Sequence, residues 1–330
     1  MNLGVLSLLP SASRLRHIDV RESRRGKVTV CSYMSGMGGF PIVVLHGLTR
    51  EGFGDARLVR FCKMLAAAGM CVYSPNLQGL CRMDPDPTEV ESISALLKTL
   101  VEEHTSQIGL IGFSFGGTYA LLASSAPGVA GNIRFVLAVG AYYSLESVVE
   151  RAFSLRGTRD LSPEAAYALL AMDWKFRQML PLTEGESVAF EELMDHFCSR
   201  KKHFTPGDTS VVATIAGMQQ QEDIYLLWKT RLPEISSLNI EGNPTLESLE
   251  ASVFLLHSEH DASIPIEESL RIAAELTRHH KNVLRHIGRF GDHVTFSIRN
   301  ESGLARFFYR IMLLTENQDP RNGRQPEKKT

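Results

Sequence analysis

The chain has 330 residues and a formal net charge of −2, from 35 Lys and Arg against 37 Asp and Glu. That length can bury a large core, as one big domain or one domain with an insertion, and the near-neutral balance excludes the basic footprint of a nucleic-acid binder. Five cysteines, Cys31, Cys62, Cys71, Cys81 and Cys198, are scattered and odd in number, without metal-ligand spacing. They read as reduced packing thiols of a cytoplasmic chain that needs no metal and no cofactor. The apolar start (Leu3, Val5, Leu6, Leu8, Leu9) has no preceding basic residue and is cut short by Pro10, so it does not read as a signal peptide. No stretch approaches the ~20 apolar residues of a membrane span, so no integral membrane association is expected.

In chain order, residues 1–16 are an apolar lead-in that packs on the domain or on a partner. His17–Val20 and Lys27–Tyr33 read as two short strands joined by a turn around Arg24-Arg25-Gly26. Pro41-Ile42-Val43-Val44-Leu45 is an unbroken, largely β-branched run, as in a strand buried on both faces of a parallel sheet. His46-Gly47-Leu48-Thr49 follows, either as a plain strand-to-loop turn or as a loop whose Leu48 N–H faces a developing oxyanion. Asp55 caps a predicted helix that runs to about Ala68 and stops at Gly69. Cys71–Tyr73 is the next strand, with Ser74–Gly79 as its exit loop, and a helix carrying Val90, Ile93, Leu96, Leu97 and Leu100 comes after Pro87.

The stretch Gln107–Gly117 then reads as strand, sharp turn, helix. Its turn, Gly112-Phe113-Ser114-Phe115-Gly116, has the pattern G-x-S-x-G. Such a turn forces strained backbone angles on its centre and brings neighbouring chain so close that only residues without a Cβ fit beside it. It lifts a serine hydroxyl to the tip of a sheet at the start of a helix, where backbone N–H groups and the helix dipole favour negative charge. Alone, the same pattern also fits tight packing or a phosphate loop.

Arg134–Gly140 is another buried strand, and strands have so far alternated with helices, the mark of an α/β sheet with crossovers. Between about Tyr142 and Glu250 the rhythm breaks. Helices are predicted at Ala165–Trp174, Val188–Phe197 and Val211–Trp228, studded with aromatics and methionines such as Tyr167, Met172, Trp174, Phe190 and Trp228. This reads as a helical insertion with its own small core, lying over the strand tips as a lid. The sheet resumes at Ala251–Leu256, exits through His257-Ser258-Glu259-His260-Asp261, continues as a helix over Ile266–Arg278 and a strand over Asn282–Ile287, and closes with a helix over about Thr295–Leu314. Residues 315–330 are polar and read as a disordered tail. The expected division is therefore 1–141 and 251–314 for an α/β core, 142–250 for a helical lid, and 315–330 for the tail.

A serine attacks a carbonyl well only if a base takes its proton and a third group holds the base. Ser114, Asp261 and His293 all follow strands, and parallel strands share one C-terminal edge, so the three can converge there. The order Ser, acid, His is the one a nucleophile-elbow architecture requires. Asp261 has a second reading, as a cap on the following helix, and Glu259 is the second acid candidate. Asp292 adjoins His293 but points elsewhere, and His46 braces its loop. His257 and His260 have metal-like spacing without a third ligand.

These residues resemble the α/β-hydrolase superfamily over about residues 28–314: His46-Gly47 its oxyanion loop, Gly112–Gly117 its nucleophile elbow, His257–Pro265 its acid loop, and Gly291-Asp292-His293 with Phe296 its histidine loop. The resemblance implies a mostly parallel sheet with flanking helices, Ser114 as nucleophile, His293 as general base then acid, and Asp261 as its orienting acid. The N–H groups of Leu48 and Phe115 would form the oxyanion hole, each worth roughly 3–4 kcal/mol in known cases. The expected substrate is a small acyl ester. A thioester, transfer to another acyl acceptor, or a non-catalytic binding role on the same fold are the alternatives. Departures narrow the field. Serine in place of Asp argues against dehalogenase or epoxide-hydrolase chemistry, and in place of Cys against a close dienelactone-hydrolase analogy. Leu48 stands where Gly-rich esterases have more glycine, and Pro75-Asn76-Leu77-Gln78-Gly79 lacks the Asp and Arg of the family's corresponding loop. Leu48, Phe113 and Phe115, with the Met-rich insertion, point to an acyl chain of some length.

Overall fold

The computed structural model describes residues 17–36, 39–104, 107–155, 163–176, 184–185, 187–188, 190–192, 221–279, 281–288, 311 and 313. Eight strands form one sheet in the order β1-β2-β4-β3-β5-β6-β7-β8. They are β1 Asp19–Arg25, β2 Val28–Met34, β3 Pro41–Leu45, β4 Cys71–Pro75, β5 Ile108–Phe113, β6 Ile133–Val139, β7 Ser252–Ser258 and β8 Val283–Gly288. β1 and β2 are antiparallel, as are β2 and β4, and every other pairing is parallel. Parallel neighbours need long crossovers, and helices supply them. These are α1 Ala56–Ala67, α2 Gln78–Cys81, α3 Pro87–His104, α4 Phe115–Ser124, α5 Leu145–Ser154, α6 Pro163–Phe176, α7 Gln221–Arg231 and α8 Ile266–Arg278.

The local signals act as expected where they are strong. Every residue of β3 is buried, as its unbroken apolar run requires. Asp55 is the N-cap of α1, its side chain accepting from the Arg57 N–H. The reading departs from the structure in four places. β1 runs on to Arg25 instead of ending at Val20, so of the expected Arg24-Arg25-Gly26 turn Gly26 alone lies in the turn, with Lys27. Residues 78–81 form a helical turn, not an open loop. Helix α5 was not expected, although Leu145, Val148, Val149 and Ala152 bury one face at helical spacing. The apolar side chains of the insertion (Leu169, Trp174, Phe190, Trp228) join the sheet's main cluster instead of forming a separate core. Within it Trp174 stacks on Phe190, Phe176 meets Trp228 edge-on, and the Trp228 Nε1–H donates to the Met172 carbonyl. The calls at 1–16, the 211–220 part of the Val211–Trp228 helix, the closing helix before Ile311 and the tail lie outside the described residues, as do most of Val188–Phe197 and Cys198.

Polar ties join insertion and sheet. Asp84 accepts from Lys175 at the end of α6 and stands 3.4 Å from the Arg231 guanidinium at the end of α7. Asp84 follows Met83, which is buried at a φ of 57°. Beside them Glu89, in the first turn of α3, accepts from the Gly79 N–H at 2.7 Å. Its other carboxyl oxygen is buried, with no hydrogen-bond partner among the described residues. Burial pushes the Glu89 carboxyl up to about 7.

In the unfolded chain Glu89 loses its proton near pH 4.5, so between about pH 4.5 and 7 the folded state binds the extra proton and stability falls as pH rises. That loss is at most about 3 kcal/mol. Glu89→Gln therefore gains about 1–3 kcal/mol on the wild type when chemical denaturation is compared at pH 8 and pH 5. An unchanged gap between the two proteins at both pH values contradicts a buried, protonated Glu89.

Candidate active site

Ser114 stands between β5 and α4 with φ 53° and ψ −125°. Met83 and Ser114 are the two non-glycine residues at positive φ among those described. This backbone costs on the order of 1–3 kcal/mol and persists only where surrounding packing enforces it. The enforcement is visible. A Cβ on Gly112 would lie 2.1 Å from the Gly116 carbonyl oxygen, and one on Gly116 would lie 2.3 Å from that of His46. Gly112 itself is held in register between Leu45 and Ala138. The Ser114 N–H donates to the Val139 carbonyl at 2.7 Å, and its carbonyl accepts from the Gly117 N–H at 2.8 Å, so the turn is fixed on both sides.

The loop after β3 lies directly against this serine. A Cβ on Gly47 would sit 2.8 Å from the Ser114 Cβ and 3.4 Å from its Oγ. Leu48, next in the chain, is partly buried against the main core. His46 braces the loop. Its Nε2 accepts from the Leu77 N–H at 3.0 Å, which leaves the proton on Nδ1 to donate to the Gly47 carbonyl at 2.8 Å. Burial lowers its pKa to about 4, so the ring is neutral at physiological pH and is not a mobile base. Phe115 follows Ser114 as the first residue of α4. It is buried, with its ring 4.8 Å from that of Tyr142, while Phe113 meets Phe61 edge-on at 5.3 Å. Phe115 thus lies in the core on one face of the sheet, while Phe113 is partly buried and packs against the cluster on the other.

Asp261 lies on the exit of β7. Its carboxylate is buried, and Oδ1 accepts from the Ser263 and Ile264 N–H groups at 3.0 and 2.8 Å. These bonds close a turn inside the loop; the residue that caps α8 is Pro265. Glu259, by contrast, is exposed. The metal-like spacing of His257 and His260 comes to nothing here, since His257 is fully buried with both ring nitrogens engaged and His260 is exposed. β8 ends at Gly288, paired with Ser258 on the same edge, and His293 in the following loop lies outside the described residues.

Sequence reasoning did not find the buried polar groups that hold these strand exits together. Thr118 on α4 accepts from the Tyr142 N–H and donates to its carbonyl. Glu268 on α8 accepts from the Tyr143 and Ser144 N–H groups at 2.8 and 2.9 Å. The exit of β6 is thereby tied to the helix after Ser114 and to the helix after Asp261. A Glu at that place in α8 carries no signal in sequence, because only the fold brings it under β6.

Comparison with known proteins agrees with this geometry. A model of the alpha/beta hydrolase family matches residues 42–293, well over half of the chain. The chain belongs to the alpha/beta hydrolase family. Two solved structures show how far that fold is shared. The acylaminoacyl peptidase of Pyrococcus horikoshii is 15% identical with a TM-score of 0.52, over 93% of this chain and 42% of that one. An esterase of Pyrococcus furiosus is 15% identical with a TM-score of 0.50, over 96% of this chain and 94% of that one. The chain thus spans about two fifths of the peptidase's length, and at such identity the likeness is one of fold. No curated protein matches the chain. No helix among the described residues is long and apolar enough to cross a membrane.

The contact between Gly116 and the His46 carbonyl gives a direct test of the elbow. In Gly116→Ala the new Cβ must displace backbone, which costs on the order of 1–3 kcal/mol. The variant should melt lower and lose reactivity at Ser114 beyond what its loss of fold explains. A Gly116→Ala protein with wild-type melting and wild-type serine reactivity contradicts the packing described.

Proposed function

We propose that this alpha/beta hydrolase cleaves a carboxylic ester through an acyl-serine intermediate, with Ser114 as nucleophile, His293 as base and Asp261 as the acid that orients it. The observation that carries the reading is Ser114 itself, a non-glycine residue held at φ 53° at the start of a helix with Gly47 packed against its side chain. Strain of this kind is retained where it places a reactive group. The buried Asp261 carboxylate at the exit of β7, two strands along the same sheet edge, supports the assignment of the acid.

In this reaction the Ser114 Oγ attacks the ester carbonyl carbon while His293 takes the hydroxyl proton. The carbonyl oxygen becomes an oxyanion facing the Leu48 and Phe115 N–H groups. Collapse breaks the bond to the alcohol, which leaves with the proton from His293. Water then attacks the acyl-serine, again giving its proton to His293, and the acid departs as Ser114 recovers its proton. Residues 142–250 act as a lid on the core formed by 1–141 and 251–314. None of Cys31, Cys62, Cys71 and Cys81 is in a disulfide, which supports a cytoplasmic setting. A thioester substrate, or an acyl acceptor other than water, uses the same groups in the same roles.

Labelling with a fluorophosphonate probe tests the proposal. Wild-type protein should label, and Ser114→Ala and His293→Ala should not, at least 10³-fold slower under the same conditions. Esters and thioesters of graded chain length then assign the substrate. A folded wild type that neither labels nor hydrolyses any of them is a binding protein on a hydrolase fold.

A further inference from the structure

His257, next to last in β7, is 0% exposed and directly beneath the acid loop. Its Nε2 lies 2.8 Å from the Ile264 carbonyl oxygen and its Nδ1 lies 2.6 Å from the Ser269 Oγ on α8. A carbonyl oxygen only accepts, so Nε2 carries a proton. In the neutral ring the Ser269 hydroxyl then donates to Nδ1. The same Nε2 stands 3.4 Å from the Asp261 Oδ2. Both oxygens of Asp261 are thus addressed from beneath: Oδ1 by the Ser263 and Ile264 N–H groups, Oδ2 by the imidazole.

We infer that His257 is a positioning residue for Asp261, holding the plane of its carboxylate through an Nε2–H shared with the Ile264 carbonyl, and that Ser269 fixes the ring for that task. The inference rests on the reading of Asp261 as the acid of the site. The Ser263 and Ile264 N–H groups hold Oδ1. A donor beneath Oδ2 helps to fix the plane of the carboxylate and keeps its remaining lone pairs aimed at the base. A base misplaced by a fraction of an ångström slows proton transfer far more than it weakens substrate binding.

Two amide variants separate this role from packing. In His257→Gln the side-chain amide reaches the place of Nε2. In His257→Asn it reaches only the place of Nδ1, keeping a polar contact with Ser269 but no donor beneath Asp261. With p-nitrophenyl butyrate as probe, His257→Asn should lower kcat by about 10–100-fold with KM within about twofold, and His257→Gln should recover to within about threefold of wild type. Equal loss in both variants, or loss in neither, at matched melting temperature overturns the inference. If His257→Asn does not fold, Ser269→Ala is read instead. It should lower kcat by about 3–10-fold at unchanged KM, and a wild-type kcat overturns the inference. Asp261→Asn in the same series distinguishes the levels. If Asp261→Asn keeps wild-type kcat, or wild type does not react, the site reading fails and this inference with it. If Asp261→Asn is inactive while His257→Asn is at wild-type level, the inference alone fails.

Discussion

Backbone contact at the end of β5 is the constraint on which the rest of the site depends. The chain must leave a buried strand, reverse within one residue and begin a buried helix, all under the exit of β3. There is no room for a Cβ at Gly112, Gly116 or Gly47, and the His46 carbonyl closes the remaining space. Ser114 takes the conformation left over. Its positive φ is therefore a consequence of how β3, β5 and α4 meet, and its hydroxyl is placed by backbone that cannot relax without pulling the sheet apart.

A second layer of buried polar groups fixes the neighbouring strand exits. Thr118 and Glu268 satisfy the backbone of Tyr142, Tyr143 and Ser144, which would otherwise be costly unpaired groups in the core. Tyr142 in turn donates to the Leu238 carbonyl, and the Leu145 N–H donates to Asn239, so the start of the helical insertion is tied to its end. His46 and Glu89 hold the loop after β4 from its two sides, through Leu77 and Gly79. Their burial works in opposite directions with pH. The neutral His46 costs stability on acidification from about pH 6.5 towards 4, and Glu89 costs it as pH rises from about 4.5 to 7.

Much of the fold was legible because its signals are local. A five-residue apolar run rich in β-branched residues fits a strand buried on both faces. Asp55 before an apolar stripe can satisfy helix N–H groups wherever the helix packs. The G-x-S-x-G turn carries its own steric demand. Reading failed where the determinant was a partner distant in sequence. The charged β1 has no apolar face to declare it and extends to Arg25 because β2 offers it a pairing edge. Residues 78–81 coil into a turn held by Glu89 from α3. Helix α5 is the exception, since its apolar spacing was there to be read.

The sequence by itself determined the alternation of strands and helices and the serine turn, each a matter of short-range sterics and periodicity, and its motifs carried the resemblance to the family. Only the tertiary structure decided what the neighbouring side chains do. Phe113 and Phe115 flank the serine in sequence, yet at a sharp bend they turn to different surroundings, Phe115 into one core cluster and Phe113, partly buried, against the other. His257 had no role that its spacing could give it, and β7 and α8 enclose it beneath Asp261. Those assignments depend on which groups a residue meets across the fold, and no spacing along one chain contains that information.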